Sequence, residues 1–272
     1  EWMPSPFMSV LVDDCIQRGK DYHDGGPRYN TTYIQGVGIG TLTDAMAAVK
    51  YHVFDRKTMT MQTLLNALKA NFGGMETLQK QLTQSPRYGN DDDYADSIAV
   101  DVFNLYYEAV NGRPNTKGDK YRINLLPTTV HIYFGEVTGA LPNGRKAGLP
   151  VSEGISPSQG ADTEGPTAVL KSAGKLDHAR TGGTLLNMKF NPQVLEGEGL
   201  DKLVQLVRSY FRLDGHHVQF NVINRQTLLE AQKNPQQYRH LIVRVAGYSD
   251  YFVELGEGLQ NEIIARTEQT VL

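Results

Sequence analysis

The sequence holds a single cysteine, Cys15, in 272 residues. No internal disulfide can form, and a reducing cytoplasm is the compartment expected. It has no apolar run approaching the roughly 18 residues that cross a bilayer, and no secretory signal is visible. No basic block interrupts it and its formal charge is −3, which argues against nucleic acid as a partner. A natural start is also missing: Glu1-Trp2-Met3-Pro4 runs straight into folded-looking sequence. A piece of a longer polypeptide is therefore expected. What is present is apolar material, 40% of residues, enough for a sizeable core.

Strands alternate with helices along the whole chain, which points to an α/β architecture. One helix is expected from Pro4 to about Lys20, with Phe7, Val10, Leu11, Asp14 and Cys15 near one face. Strand-like Arg28 to Ile34 leads through Gly36-Val37-Gly38-Ile39-Gly40-Thr41 into a helix from about Thr43 to Phe54. The glycine spacing is not that of a dinucleotide loop and no acidic residue ends a second strand, so a tight strand-to-helix turn is the reading. Amphipathic segments follow from Thr60 to about Asn71 and from Met75 to Leu82. Asn90-Asp91-Asp92-Asp93 reads as the capped, acidic start of a helix to about Val110, in preference to a metal site.

Pro127 to Phe134 is expected as a strand of period two that puts Thr129, His131 and Tyr133 on one face, where they would line a site. Gly135 to Lys175 reads as a long stretch without a helix, too apolar for a linker and so functional. A strand with a glycine entry follows from Thr181 to Phe190, then a helix from Leu200 to Leu213 capped near Gly215, and a strand from His216 to Val222. His216 and His217 are adjacent on that strand and point to opposite faces, so no zinc site is expected. A short helix from Thr227 and a closing helix from Glu257 to Thr267 complete the chain.

The chain is organised around Arg244-Val245-Ala246-Gly247-Tyr248-Ser249, at the end of a β-branched run from Leu241. Alone, such a glycine is a turn residue. These six residues, followed by Tyr251-Phe252-Val253-Glu254-Leu255, closely resemble the C-terminal signature of the glycyl radical enzymes. The resemblance implies that Gly247 stores an organic radical. The chemistry gives a reason for the residue type. A Cα that has lost hydrogen delocalises its electron between amide nitrogen and carbonyl and becomes flat, and glycine has no Cβ to crowd that geometry.

The likeness extends over essentially all 272 residues. It implies the C-terminal half of a ten-stranded α/β barrel, with residues 1–126 a mainly helical part and 127–272 the strands and glycine domain. Pro-Thr-Thr-Val-His-Ile-Tyr-Phe-Gly, Ser-Glu-Gly-Ile-Ser-Pro, Thr-Gly-Gly-Thr-Leu-Leu-Asn and Arg-Thr-Glu-Gln resemble the dehydratase branch, which eliminates water from diols or hydroxyproline. A formate acetyltransferase-like or choline lyase-like enzyme is the alternative, and a short subunit that supplies a fresh glycine is another. The family implies no bound metal. Its radical is installed by a separate S-adenosylmethionine iron–sulfur activating enzyme, for which Arg244, Tyr248, Ser249 and Arg266 are candidate contacts, and a homodimer at full length. The family's thiyl cysteine sits in a loop as Cys-x-Glu. Cys15-Ile16-Gln17 lacks the carboxylate and lies in a helical pattern, so Cys15 reads as a buried structural residue and the thiyl site as absent.

Overall fold

The computed structural model describes residues 3–272. The N-terminal stretch expected as one helix forms two short ones, α1 (Pro6–Ser9) and α2 (Asp13–Arg18). Val12 is extended between them, and Asp13 and Asp14 open the second helix, where its dipole favours acids. Cys15 is buried in α2, and burial pushes its thiol up, with Asp21 and Asp14 adding to the effect.

Next come β1 (Thr32–Gln35) and α3 (Ile39–Val49), which runs on as a π-helical turn over Lys50–Asp55. The glycine-rich turn between them is a packing device. Gly38 sits at φ +82°, and a Cβ on Gly40 would lie 2.7 Å from the Ser156 carbonyl oxygen. Helices α4 (Met61–Lys69), α5 (Glu76–Thr83) and α6 (Asp93–Val110) follow. The Asp92 carboxylate caps α6 by accepting from the Tyr94 N–H at 2.9 Å. Its neighbours Asp91 and Asp93 pair with Lys171 and Lys175, each at 2.8 Å, so the acidic run is answered by lysines.

Two expectations fail in the middle of the chain. After β2 (Tyr121–Asn124), the segment expected as a strand from Pro127 to Phe134 is instead helix α7 (Val130–Val137). Thr128 takes a left-handed φ of +54°, which ends any extended run. His131 and Gly135 then form the buried face while Tyr133 between them is exposed, a pattern that a strand of period two does not give and a helix does. The stretch expected to lack helix contains α8 (Pro166–Gly174), begun by Pro166 and burying Val169, Leu170 and Ala173. The remaining elements are β3 (Asn187–Phe190), α9 (Gly199–Arg212), β4 (Gln219–Val222), α10 (Arg225–Lys233), β5 (Ile242–Arg244), β6 (Ser249–Tyr251), α11 (Glu257–Ala265) and β7 (Glu268–Gln269).

The architecture is mixed α/β with parallel strands. β1 pairs with β2, and β3 lies between β4 and β7, all parallel. A parallel bridge from Leu125 to Thr184 joins the two groups. Among the described residues the strands close no barrel; they form two parallel groups and one separate two-stranded hairpin. The larger core lies between β2, β3 and helices α6, α8 and α9, around Ile123, Phe103, Leu170, Leu186, Phe190 and Tyr210. A second core joins Leu228, Val243, Val245, Phe252 and Ile263, and it seats the β5–β6 hairpin on α10 and α11. Fully burying one such side chain contributes about 1.5–3 kcal/mol, so the hairpin is held mainly by its apolar underside.

Asp44 in α3 is fully buried; its Oδ1 accepts from the Tyr88 N–H at 2.9 Å, and its Oδ2 has no partner. Burial outweighs the nearby Arg87 and pushes the carboxyl from 3.8 up to about 6. The folded chain therefore keeps a proton that the unfolded chain has released. Stability falls as pH rises through this window and is level above it. Asp44→Asn removes the titration and is expected to be more stable than the parent by about 2–3 kcal/mol at pH ~8, the gap closing below pH ~4. Urea unfolding at both pH values checks this; a variant less stable than the parent at the higher pH refutes it.

Candidate functional site

The hairpin of β5 and β6 pairs Arg244 with Ser249, and the chain turns through Val245-Ala246-Gly247-Tyr248. The Val245 N–H donates to the Tyr248 carbonyl at 2.8 Å. Val245 and Ala246 are buried, whereas Gly247 and Tyr248 at the tip are exposed. Gly247 has φ +84°, in the region that favours glycine. A Cβ there would meet only the Leu185 Cδ1, at 3.4 Å.

Side chains, rather than a backbone ladder, fasten the hairpin to the sheet. Asn221 on β4 accepts from the Arg244 N–H and donates to the Arg244 carbonyl, both at 2.8 Å, imitating a strand partner. Gln219, two residues earlier on the same face of β4, accepts from the Gly247 N–H at 3.2 Å and from Arg244 Nη2 at 3.1 Å. Its Nε2 donates to Asn187 Oδ1, directly across on β3. Asn187 Nδ2 donates to Glu153 Oε1 at 2.6 Å and to the Val245 carbonyl at 3.3 Å. The Ser156 hydroxyl also donates to Glu153 Oε1, at 2.5 Å. Burial pushes the Glu153 carboxyl up, against the pull of Arg266 and of these hydrogen bonds.

A second anchor comes from α11. Arg266, buried to 9% exposure, donates from Nη2 to the Val245 carbonyl at 3.0 Å. The same guanidinium grips Glu262, one turn earlier, at 2.7 Å. Glu262 is buried, which opposes its charge, yet Arg266 and His131 beside it hold its carboxyl well below the usual range. His131 Nε2 lies 3.6 Å from Glu262 Oε1, and Gln159 donates to that oxygen at 3.2 Å. Lys189 on β3 pins the end of α11 by donating to the carbonyls of Ile263 and Ile264 at 3.3 and 3.0 Å; burial pushes its amine down to about 8.

The sequence-derived candidates thus fall into different places. His131 reaches the hairpin through Glu262 and Arg266. Tyr133 points away and is 60% exposed, and Thr129 sits at the start of α7, partly covered. Arg244 is half-buried, its Nη1 donating across the hairpin to Ser249 Oγ at 3.1 Å. Tyr248 and Ser249 are exposed. Sequence reasoning assigned no role to Glu153, Asn187, Gln219, Asn221 or Glu262. One signal was available: amides and a lysine recur at every second position of short apolar strands, Asn187 and Lys189 in β3, Gln219 and Asn221 in β4. Among the described residues, no three His, Cys, Asp or Glu side chains gather as metal ligands would. What the arrangement offers chemically is one glycine Cα at the tip of a firmly seated hairpin, its N–H and the carbonyls of Arg244 and Val245 individually hydrogen-bonded.

Comparison with known proteins bears on the same region. A family model described as pyruvate formate lyase-like matches residues 1–135, and one described as glycine radical matches residues 151–253. Trans-4-hydroxy-L-proline dehydratase of Clostridioides difficile is 62% identical over 270 residues, which cover 98% of this chain and 34% of the relative. Its crystal structure with substrate superposes with a TM-score of 0.95. The B12-independent glycerol dehydratase of Clostridium butyricum, in its glycerol-bound form, is 47% identical with a TM-score of 0.94, over 98% of this chain and 34% of that one. Isethionate sulfite-lyase of Oleidesulfovibrio alaskensis is 45% identical over 282 residues, 98% of this chain and 33% of the relative. The chain thus spans about a third of the length of the curated relatives it matches.

Proposed function

The chain belongs to the glycyl radical enzymes, and from that membership we infer that Gly247 is the residue on which the radical is stored. The observation that carries this reading is the hairpin tip: an exposed glycine at φ +84° in the sequence Arg244-Val245-Ala246-Gly247-Tyr248-Ser249. Losing one hydrogen atom from its Cα leaves an electron shared between nitrogen and carbonyl. The hairpin's side-chain anchors hold that carbon in place.

The complete enzyme is proposed to be a dehydratase acting on a small hydroxylated substrate. Gly247 passes its radical to a cysteine, and the thiyl removes a substrate hydrogen beside a hydroxyl-bearing carbon. The hydroxyl then takes a proton from an acid and leaves as water, and the cysteine returns the hydrogen atom. The 62% identity to a relative named trans-4-hydroxy-L-proline dehydratase favours a hydroxyproline-like substrate over a diol. The sulfite-lyase relative supports a second reading, in which the same radical chemistry expels a different leaving group. Cys15, buried in α2 and without a nearby glutamate in sequence, is not the thiyl residue in this proposal; that cysteine belongs to chain outside these residues.

The partner proposed for Gly247 is a separate S-adenosylmethionine iron–sulfur activating enzyme. Exposed Tyr248 and Ser249, with half-buried Arg244, are its candidate contacts, and buried Arg266 anchors the segment it must grip. A homodimer and a cytoplasmic location are proposed for the full-length enzyme. Among the described residues no helix is long and apolar enough to cross a membrane.

The test is intact mass after anaerobic activation followed by air. Oxygen reacts at the radical carbon and cuts the chain there, so the 25 residues after Gly247 are expected to be lost. A chain that stays whole after exposure to a competent activator would count against Gly247.

A further inference from the structure

We propose that Glu153 and Asn187 are positioning residues that aim the Gln219 carbonyl at the Gly247 N–H, and that this hydrogen bond tunes the radical; the proposal rests on Gly247 being the radical residue.

The direction of the relay is set at its buried end. Glu153 Oε1 receives both the Ser156 hydroxyl and the Asn187 amide, so it acts as an acceptor. Its other oxygen has no partner and is where a proton would sit, so Oε1 accepts in either protonation state. With Asn187 Nδ2 committed to Glu153 and to the Val245 carbonyl, Asn187 Oδ1 must face β4. There it accepts from Gln219 Nε2, which turns Gln219 Oε1 toward Gly247. Without the carboxyl at the far end, either amide could flip and present an N–H₂ group to the Gly247 N–H. The carboxyl therefore decides whether the glycine meets an acceptor or a second donor. Arg244 Nη2, which donates to the same Gln219 oxygen, reinforces that choice.

The hydrogen bond is not equally strong in the two states of the glycine. When the Cα holds an unpaired electron, the amide nitrogen donates its lone pair toward that carbon and becomes more positive. Its N–H becomes a better donor, and the bond to Gln219 strengthens. Only an interaction that differs between two states shifts the balance between them. Accepting from this N–H therefore stabilises the radical relative to the closed-shell glycine. A seat that merely held the hairpin would not need an acceptor at this atom, because Asn221, Asn187 and Arg266 already hold the N–H of Arg244 and the carbonyls of Arg244 and Val245.

The test is electron paramagnetic resonance on the full-length enzyme, activated anaerobically, as parent, Gln219→Met, Glu153→Leu and Glu153→Gln. A glycyl radical keeps one hydrogen on its Cα and gives a doublet. In Gln219→Met and Glu153→Leu the doublet splitting is expected to change, and the anaerobic half-life of the radical to shorten about three- to tenfold, the range of one lost hydrogen bond. Glu153→Gln keeps an acceptor at Oε1 and is expected to match the parent. Circular dichroism on the same samples separates a spectral change from misfolding. If Glu153→Leu does not fold, Gln219→Met decides alone. Parental splitting and half-life in folded Gln219→Met overturn the proposal while leaving the radical at Gly247. Absence of a doublet in the parent itself overturns the radical assignment, and the proposal with it.

Discussion

Gly247→Ala is expected to fold and to give no radical signal at all after activation. The fold tolerates the change because the tip is exposed and the added Cβ reaches only the Leu185 methyl, at 3.4 Å. Alanine at φ +84° is strained, which costs about 1–2 kcal/mol. A melting temperature lowered by roughly 2–6 °C corresponds to that strain. The chemical effect is far larger than the conformational one. A methyl group on the radical carbon crowds the flat arrangement that spreads the electron over the peptide, and its bulk obstructs access to the remaining hydrogen. Far-ultraviolet circular dichroism and paramagnetic resonance on one sample give both answers. A parental doublet in a folded Gly247→Ala protein would show that the radical resides elsewhere.

Arg266→Met carries the largest expected loss of stability. It leaves the Glu262 carboxylate buried with only Gln159 and His131 beside it, and it strips the Val245 carbonyl of the nearer of its two donors, leaving Asn187. Breaking a buried pair in this way costs about 3–5 kcal/mol. Glu262→Gln combined with Arg266→Met removes the stranded charge and is expected to recover most of the loss, since a buried pair is worth little over neutral groups that fill the space. The pH dependence has a definite sign. Arg266 and His131 overcome burial and hold the Glu262 carboxyl below its ordinary value of 4.5, so its contribution is present above that value and lost as pH falls. In Arg266→Met the same carboxyl prefers its proton. The gap between parent and variant therefore narrows on acidification from pH ~7 to pH ~4. Urea unfolding across that range checks it, and a constant gap would mean that Glu262 is not the source of the penalty.

Much of this fold could be read from local chemistry. Asp92 and Thr60 announce the starts of α6 and α4 because a capping side chain acts within three residues of itself. Gly247 could be proposed from the sequence alone because the requirement of a radical carbon is chemical and falls on one residue. Helix α7 could not: His131-Ile132-Tyr133-Phe134 is apolar and β-prone, and nothing local reveals that its buried positions lie four apart instead of two. Helix α8 had a legible signal in Gly165-Pro166, obscured by the glycine and proline content around it. The amides that seat the hairpin are a different case. Asn187 and Gln219 are 32 residues apart, and their meaning arises only when β3 and β4 lie in register. Arg266, read as a contact for the activating enzyme, lies four residues after Glu262, and that spacing was visible in the sequence.

The hairpin and the sheet share side chains but no backbone ladder. A strand torn from a ladder leaves a raw row of unsatisfied peptide groups on its former neighbour, open to pairing with any passing chain. Lifting β5 and β6 together tears no such row, because the backbone hydrogen bonds between them travel with the pair and β4 surrenders only amide side chains that water can satisfy. Repeated departure and return of the tip would therefore carry little risk of clumping, and what marks a lifted state is wetting of the Val243, Val245 and Phe252 underside.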